Sequence, residues 1–159
     1  MMGMKETPQN KTVRENMRPG KLSLPGFLGD DSRDLALLME EDNVVIERLG
    51  VTHAAVAARM RALREAGVAG LGEFTAVAAH FEVRVDSVRG RIPCPFGDRG
   101  LCAKTSVTVR NLAIGREITF TDLHMHLIEA HGFYEGRGSA YRLEPEVLVA
   151  VLEVERAVT

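Results

Sequence analysis

The side chains of this chain that could do chemistry are concentrated between positions 94 and 131. The chain has 159 residues but only two cysteines and five histidines. Both cysteines and three of the histidines fall within that interval. Thiolates and imidazoles are preferred ligands of Zn²⁺, and a structural zinc site takes four ligands in a tetrahedron. The sequence therefore predicts a zinc site, for which the available ligands are Cys94, Cys102, His124, His126 and His131.

Helix geometry selects among the three histidines, which fall in a segment that reads as one helix. His124 and His131 share a helix face, but a rise of about 1.5 Å per residue separates them by about 10 Å along the axis. His126 and His131 are closer, and a tightened helix end can bring their rings together. The predicted ligand set is Cys94, Cys102, His126 and His131, with His124 as a substitute.

Residues 94–131 loosely resemble a Cys₂His₂ zinc finger, in which a β-hairpin supplies two thiolates and the following helix supplies two imidazoles. The spacing from His126 to His131 fits the finger pattern, and the turn Cys94-Pro95-Phe96-Gly97 resembles half of a zinc knuckle. The spacing between the cysteines and the spacing from Cys102 to His126 are both longer than in that family. The resemblance implies a closed metal site with a structural role.

Two other chemistries remain open for the same residues. An ion held by His124, His126 and His131 would keep a position for water, and Glu129 or Asp122 would then serve as the base of a small metal-dependent hydrolase. The two cysteines could instead close a disulfide loop. Coordination number separates the structural zinc from the hydrolytic metal, because a closed site is typical of a structural role and an open site is typical of catalysis.

Residues 44–68 resemble the helix-turn-helix of bacterial winged-helix regulators. The likeness lies in Leu49-Gly50-Val51-Thr52, in the apolar stripe of the helix that follows, and in the closing Glu-Ala-Gly-Val. In that family the second helix enters the DNA major groove. The resemblance implies a DNA-binding regulator in which Arg59, Arg61 and Arg64 lie near phosphates.

The net charge of −2 conceals segments of opposite sign. Residues 84–116 hold seven basic and two acidic residues, whereas residues 27–50 hold two basic and seven acidic ones. The basic segment is expected to meet nucleic acid, or else acidic segments of the same or another subunit. Aromatic residues at 133, 134 and 141 beside it could stack on single-stranded bases. The basic residues singled out on the predicted strands are Arg84, Arg89, Arg91 and Arg110.

The order of patterns predicts an α+β fold with N-terminal helices, a small antiparallel sheet, and a C-terminal ββα-like lobe with a final helix. Residues 1–26, rich in proline, glycine and polar residues, are expected to form an extended arm, which could also mediate homo-oligomerisation. A helical subdomain is expected over 27–72, and an α+β lobe with the candidate zinc site over 73–159.

Local signals set the expected element boundaries. Thr52 and Thr121 are expected N-caps, Gly67 and Gly132 expected helix ends, and Pro145 an expected first helical residue. Alternation of apolar and polar residues over 81–86 predicts a strand, with a bulge near residues 87–88.

Composition is that of an ordinary globular domain, with 45% hydrophobic and 26% charged residues. No apolar run has the length of a membrane helix, and the N-terminus lacks the pattern of a secretory signal. The sequence therefore predicts a cytoplasmic protein without a membrane partner. It favours a non-enzymatic binding module with a structural zinc, whose partner is nucleic acid or another protein.

Overall fold

The computed structural model describes residues 7–156. In this part of the chain five α-helices accompany a four-stranded antiparallel sheet, which is the predicted α+β class. A single 3₁₀ turn spans Val68–Gly70. The helices and strands, in chain order, are α1 (Pro8–Asn16), α2 (Leu35–Arg48), α3 (His53–Gly67), β1 (Thr75–Val77), β2 (Phe81–Pro93), β3 (Leu101–Asn111), β4 (Arg116–Thr121), α4 (Asp122–His131) and α5 (Pro145–Leu152).

The sheet is a meander in which each strand pairs with its sequence neighbour, in the order β1-β2-β3-β4. Strands β2 and β3 form its long central hairpin, which extends past the paired ends of β1 and β4. The β2–β3 register shifts between Val88 and Arg91, so Arg89 and Gly90 form a bulge close to the predicted position. A bulge bends a hairpin and increases its twist. Beyond it, the end of the hairpin packs on α4.

The first core cluster lies between one face of the sheet and helices α3, α4 and α5. Period-2 alternation turns Val83 of β2 and Val107 and Val109 of β3 inward, and all three are fully buried. They meet the apolar face of α3, including Met60 and Leu63. The last residue of α3 is a glycine, which permits close contact with the sheet.

The second core cluster joins α1, α2, α4 and the end of the hairpin. Met17, Leu38 and Leu127 are fully buried in it. Ile92 and Cys94 bring the end of β2 into the same cluster. The hairpin end is therefore packed against the helices.

Part of the predicted extended arm is helical. Thr7 caps α1 by accepting from the backbone N–H of Asn10, and Pro8 occupies the start of the helix, where its missing N–H costs nothing. Val13 and Met17 then pack on α2 and α4 in the second core cluster. The segment is helical and not extended because two apolar residues one helical turn apart dock on the body and order it.

The expected helix boundaries match the structure closely. Thr52 accepts from the N–H of Ala55, and Thr121 forms a capping box with His124. Gly132 ends α4 in the left-handed conformation, with φ of 62°. Pro145 begins α5.

Candidate metal centre

Four side chains of different segments converge on one point at the end of the hairpin. The ligand atoms of Cys94, Asp98, His126 and His131 all lie within 4.8 Å of one another. Cys94 Sγ is 3.7 Å from Asp98 Oδ2 and 3.8 Å from His131 Nε2. Asp98 Oδ2 is 2.8 Å from His126 Nε2 and 2.6 Å from His131 Nε2.

The distances from Cys94 Sγ to Asp98 and to His131 are close to the separation between ligand atoms around a tetrahedral ion. Bond lengths of about 2.3 Å to sulfur and about 2.0 Å to nitrogen place those ligand atoms roughly 3.5 Å apart. The two distances from Cys94 Sγ are slightly longer than this. The Asp98–histidine distances are shorter because these groups are hydrogen-bonded to each other. An outward shift of Asp98 Oδ2 by several tenths of an ångström would admit an ion.

The turn between β2 and β3 supplies Cys94 and Asp98. The N–H of Gly97 donates to the carbonyl of Cys94, and Gly97 adopts φ of 89°, which a side chain would disfavour. Asn16 of α1 donates to the carbonyl of Pro95 from outside the turn. The turn is thus held by α1 as well as by the strands.

The C-terminal half of α4 supplies the two histidines. Their ring centroids are 5.8 Å apart, and both Nε2 atoms point at Asp98. The ring of Phe96 stacks on His131 at 4.0 Å, and Phe133 meets Phe96 edge-on at 5.5 Å. Aromatic packing therefore fixes the orientation of His131. The C-terminal end of a helix also favours positive charge.

Burial raises the pKa of the Cys94 thiol, and the nearby Asp98 carboxylate acts in the same direction. Backbone N–H groups of Phe96 and Asp98 bond to the sulfur and oppose this rise, because they favour the thiolate. Hydrogen bonds from His131, and then from His126, lower the pKa of Asp98. A cation at the centre would stabilise both anions.

The arrangement does not match a cysteine–histidine–aspartate triad. A triad uses one ring nitrogen of the histidine for the nucleophile and the other for the carboxylate. Here the same atom, His131 Nε2, faces both Cys94 Sγ and Asp98 Oδ2. Donor atoms that converge on a common point are instead typical of a metal site, and a set of sulfur, two imidazoles and a carboxylate suits zinc or a related transition metal.

Cys102, a predicted ligand, lies outside this group of four. It faces Ile92 across the β2–β3 ladder and packs, partly buried, against the second core cluster. Its pKa is raised mainly by burial, with Cys94 and Asp122 adding to the effect. Both cysteines are free thiols.

His124, the substitute ligand, is directed elsewhere. Its Nδ1 accepts from the N–H of Thr121 at 3.0 Å, and its Nε2 lies 2.9 Å from both Tyr141 O and Glu135 Oε2. The imidazole is almost completely buried. Both ring nitrogens are therefore occupied away from the other two histidines of α4.

The carboxylates considered as a hydrolytic base are held by arginines of α3. Glu129 pairs with Arg61 at 3.3 Å, and Asp122 pairs with Arg64 at 2.8 Å. The structure therefore does not bring the three histidines to one point, and both carboxylates considered as the base are paired with an arginine.

The three arginines that were expected near DNA phosphates, Arg59, Arg61 and Arg64, all contact the body of the protein. Besides the pairs of Arg61 and Arg64, Arg59 donates to the carbonyl of Leu152 at 2.7 Å and lies over the ring of Phe81. Helix α3 itself packs against β2 and α4.

The predicted strand arginines divide into two groups. Arg84 pairs with Asp86, and Arg110 pairs with Glu117, while both lie over the ring of Phe74. Arg89 and Arg91 at the bulge are exposed and make no ion pair within residues 7–156. Of the three aromatic residues near the glycine-rich loop, Phe133 and Tyr134 are fully buried, and only Tyr141 is exposed.

Asp98 is the member of the cluster that sequence reasoning missed. Carboxylates are abundant in this chain, with 22 aspartate and glutamate residues, so residue type alone gives no signal. The available signal was its position in a tight turn four residues after Cys94, which brings both side chains to one side.

Comparisons with protein-family models, with curated proteins and with solved structures found no match to this chain. Among residues 7–156, no helix has both the length and the apolar character needed to cross a bilayer.

Proposed function

We propose that this chain is a non-enzymatic binding module that carries one structural zinc ion, held by Cys94, Asp98, His126 and His131. The observation that carries the proposal is the convergence of four ligand atoms from the hairpin turn and from α4. Four protein ligands complete a tetrahedral zinc site and leave no position for water. A closed site of this kind favours a structural role.

The location of the ligands supports the same role. Two ligands come from the turn after β2 and two from α4, so an ion would join the hairpin end to the helix. The second core cluster lies directly beneath this junction, where Cys94 packs near Leu127 and Phe133. A bound ion would thereby keep the hairpin end packed against the helices of that cluster.

Elemental analysis of the purified, untagged protein tests the proposal. We expect about one zinc per chain, by the stoichiometry of a four-ligand site, and a loss of that zinc in Cys94→Ser/His131→Ala. Cobalt substitution gives an independent readout, because tetrahedral cobalt with one thiolate ligand has intense visible bands and a sulfur charge-transfer band. Metal-free protein from a chelator-free preparation, with no uptake of added zinc or cobalt, would refute the proposal.

A further inference from the structure

A cavity of about 380 Å³ is bounded by β2, β3, the start of α4, the loop after α4 and the segment before α2. None of the candidate metal ligands Cys94, Asp98, His126 and His131 lines it. Its volume lies within the range of small-molecule sites. The chain therefore has a concave surface that the proposed zinc ion does not use.

The wall of this cavity is largely apolar, and part of the apolar surface is open to water. Phe27 and Leu123 form buried parts of the wall. Leu24, Val88 and Tyr141 also line the cavity, and they are 87%, 56% and 54% exposed. Exposed apolar side chains that gather around one concavity are typical of a binding site. A ligand with an apolar body would remove them from water.

Strand β3 contributes two polar side chains without partners to the same cavity. Lys104 and Ser106 occupy alternate positions of β3 and therefore lie on one face of the sheet. Within residues 7–156, neither the Lys104 ammonium nor the Ser106 hydroxyl has a hydrogen-bond or ion-pair partner. Asp86 faces Ser106 in the β2–β3 register, but it pairs with Arg84 at 2.9 Å. Two donors on one strand face are thus available to a ligand.

The charges of the cavity favour an anionic ligand over a cationic one. Glu135 is the only carboxylate among the described residues that line the cavity, and it is 3% exposed. One of its oxygens accepts from Ser139, and the other lies 2.9 Å from His124 Nε2. The wall therefore offers no exposed carboxylate to a cation, whereas the exposed Lys104 offers an ammonium group to an anion.

We propose that this cavity binds a medium-chain monocarboxylate, with its carboxylate on Lys104 and Ser106 and its hydrocarbon chain against the apolar wall. The ammonium and the hydroxyl donate to the carboxylate oxygens, and such charge-assisted hydrogen bonds are stronger than neutral ones. The hydrocarbon chain covers Leu24, Val88 and Tyr141. The inference goes beyond the zinc-binding role and does not depend on it, because no metal ligand lines the cavity.

Isothermal titration calorimetry with octanoate, octanol and octylamine, each below the concentration at which it forms micelles, tests the proposal. The three probes share a hydrocarbon chain and differ in the charge of the polar end. We expect octanoate to bind more tightly than octanol and octylamine to bind most weakly. In the series butyrate, hexanoate and octanoate, affinity should rise by up to about fourfold for each added methylene group.

Two lysine variants test the position of the carboxylate. Lys104→Met removes the charge but keeps an apolar side chain of similar length. It should weaken octanoate binding about fivefold to tenfold and leave octanol binding unchanged. Lys11→Met removes the same charge from an exposed position of α1 that does not line this cavity, and it should leave octanoate binding unchanged.

A second pair of variants leaves Lys104 intact. Val88 is exposed and pairs with Lys104 across the β2–β3 ladder. Val88→Asp places a carboxylate beside the ammonium, so it should weaken octanoate binding at least about fivefold. Val88→Thr, which adds no charge at the same position, should bind octanoate nearly as well as the wild-type protein does.

The outcomes separate this proposal from the zinc site. Zinc content and far-UV circular dichroism on the same samples show that each variant is folded. Folded, zinc-loaded wild-type protein that binds no octanoate would refute this proposal alone, whereas octanoate binding by protein that takes up no zinc would refute only the zinc site. Octylamine bound as tightly as octanoate would overturn the proposal. So would octanoate binding that is unchanged in Lys104→Met, or that falls equally in Lys11→Met.

Discussion

Asp98 contacts both histidines of the candidate centre and lies next to Cys94, although it is more than a third exposed. In the absence of an ion it accepts hydrogen bonds from both rings. With an ion in place it would bind the metal, and the two rings would turn their Nε2 lone pairs to the same point. The residue thus connects the two ligand segments in either state.

At the scale of residues, the sequence indicates which residue types could bind a metal, but it does not indicate the strand register that positions them. His126 and His131 could be paired because the helical rise excludes His124 from sharing an ion with His131. The sequence offers Cys102 as the only other thiol. The β2–β3 register pairs Cys102 with Ile92, within the strands and outside the turn that carries Cys94 and Asp98. No signal in a single sequence specifies that pairing.

His53 gives a prediction for pH dependence. Its Nδ1 lies 2.8 Å from the hydroxyl of Tyr134 and its Nε2 lies 2.9 Å from Asn43 Oδ1, which together suit a neutral ring. Burial lowers the pKa of His53 below its ordinary value. Between the folded and unfolded pKa values the unfolded chain binds more protons, so the free energy of unfolding falls as pH drops below about 6.5.

Urea denaturation of wild-type protein and His53→Gln across this pH range, at constant zinc, checks that prediction. The variant should be less stable at pH 7 but should lose less stability on acidification. Parallel pH profiles for the two proteins would contradict the assignment of the proton to His53.

At the scale of elements, Gly67 controls how closely α3 approaches the sheet. A Cβ at this position would lie 2.4 Å from Val83 Cγ1. Replacing a helical glycine by alanine ordinarily stabilises a helix by up to about 1 kcal/mol. We expect Gly67→Ala instead to destabilise the protein by about 1–3 kcal/mol, because the added methyl group overpacks the core.

A double-mutant cycle measured by urea denaturation isolates this contact. In a Val83→Ala background the Cγ1 atom is gone, so the cost of Gly67→Ala should fall by at least half. An equal loss of unfolding free energy in both backgrounds would mean that the contact with Val83 does not cause the destabilisation by Gly67→Ala.

Most elements could be predicted from the sequence because their signals are local. The cap at Thr52, the stop at Gly132 and the alternation that begins at Phe81 depend on near neighbours, and the structure agrees with each. Helix α1 was missed because its order depends on docking. Its buried residues, Val13 and Met17, acquire partners only from α2 and α4, which are distant in sequence.

At the scale of the whole molecule, the proposed ion links the end of the β2–β3 hairpin to α4, and we call this link the clamp. Free zinc at about a thousand times its dissociation constant would stabilise the fold by about 4 kcal/mol. Removing it with a chelator should lower the melting temperature by roughly 10 °C, given about 2–4 °C per kcal/mol for a domain of this size. Differential scanning calorimetry with and without chelator measures the change, and readdition of zinc should reverse it. An unchanged melting temperature after verified metal removal would exclude a clamp.

Hydrogen exchange shows which part of the molecule the clamp holds. We expect residues 92–102 and the C-terminal half of α4 to exchange faster in the chelated protein, because the ion that would join them is gone. Amides of β2 and β3 that pair near Val83 should change little, since the first core cluster protects them. Uniform acceleration across the sheet would instead indicate global destabilisation.

The central claim is the identity of the four ligands, and the zinc content of two single variants tests it most directly. Asp98→Ala removes the shared carboxylate, whereas Cys102→Ser removes the thiol that lies outside the cluster. The account predicts that Asp98→Ala loses most of its zinc and that Cys102→Ser retains about one ion per chain, as a four-ligand site requires. Zinc lost from Cys102→Ser and retained in Asp98→Ala would contradict it and would favour the Cys94, Cys102, His126 and His131 set.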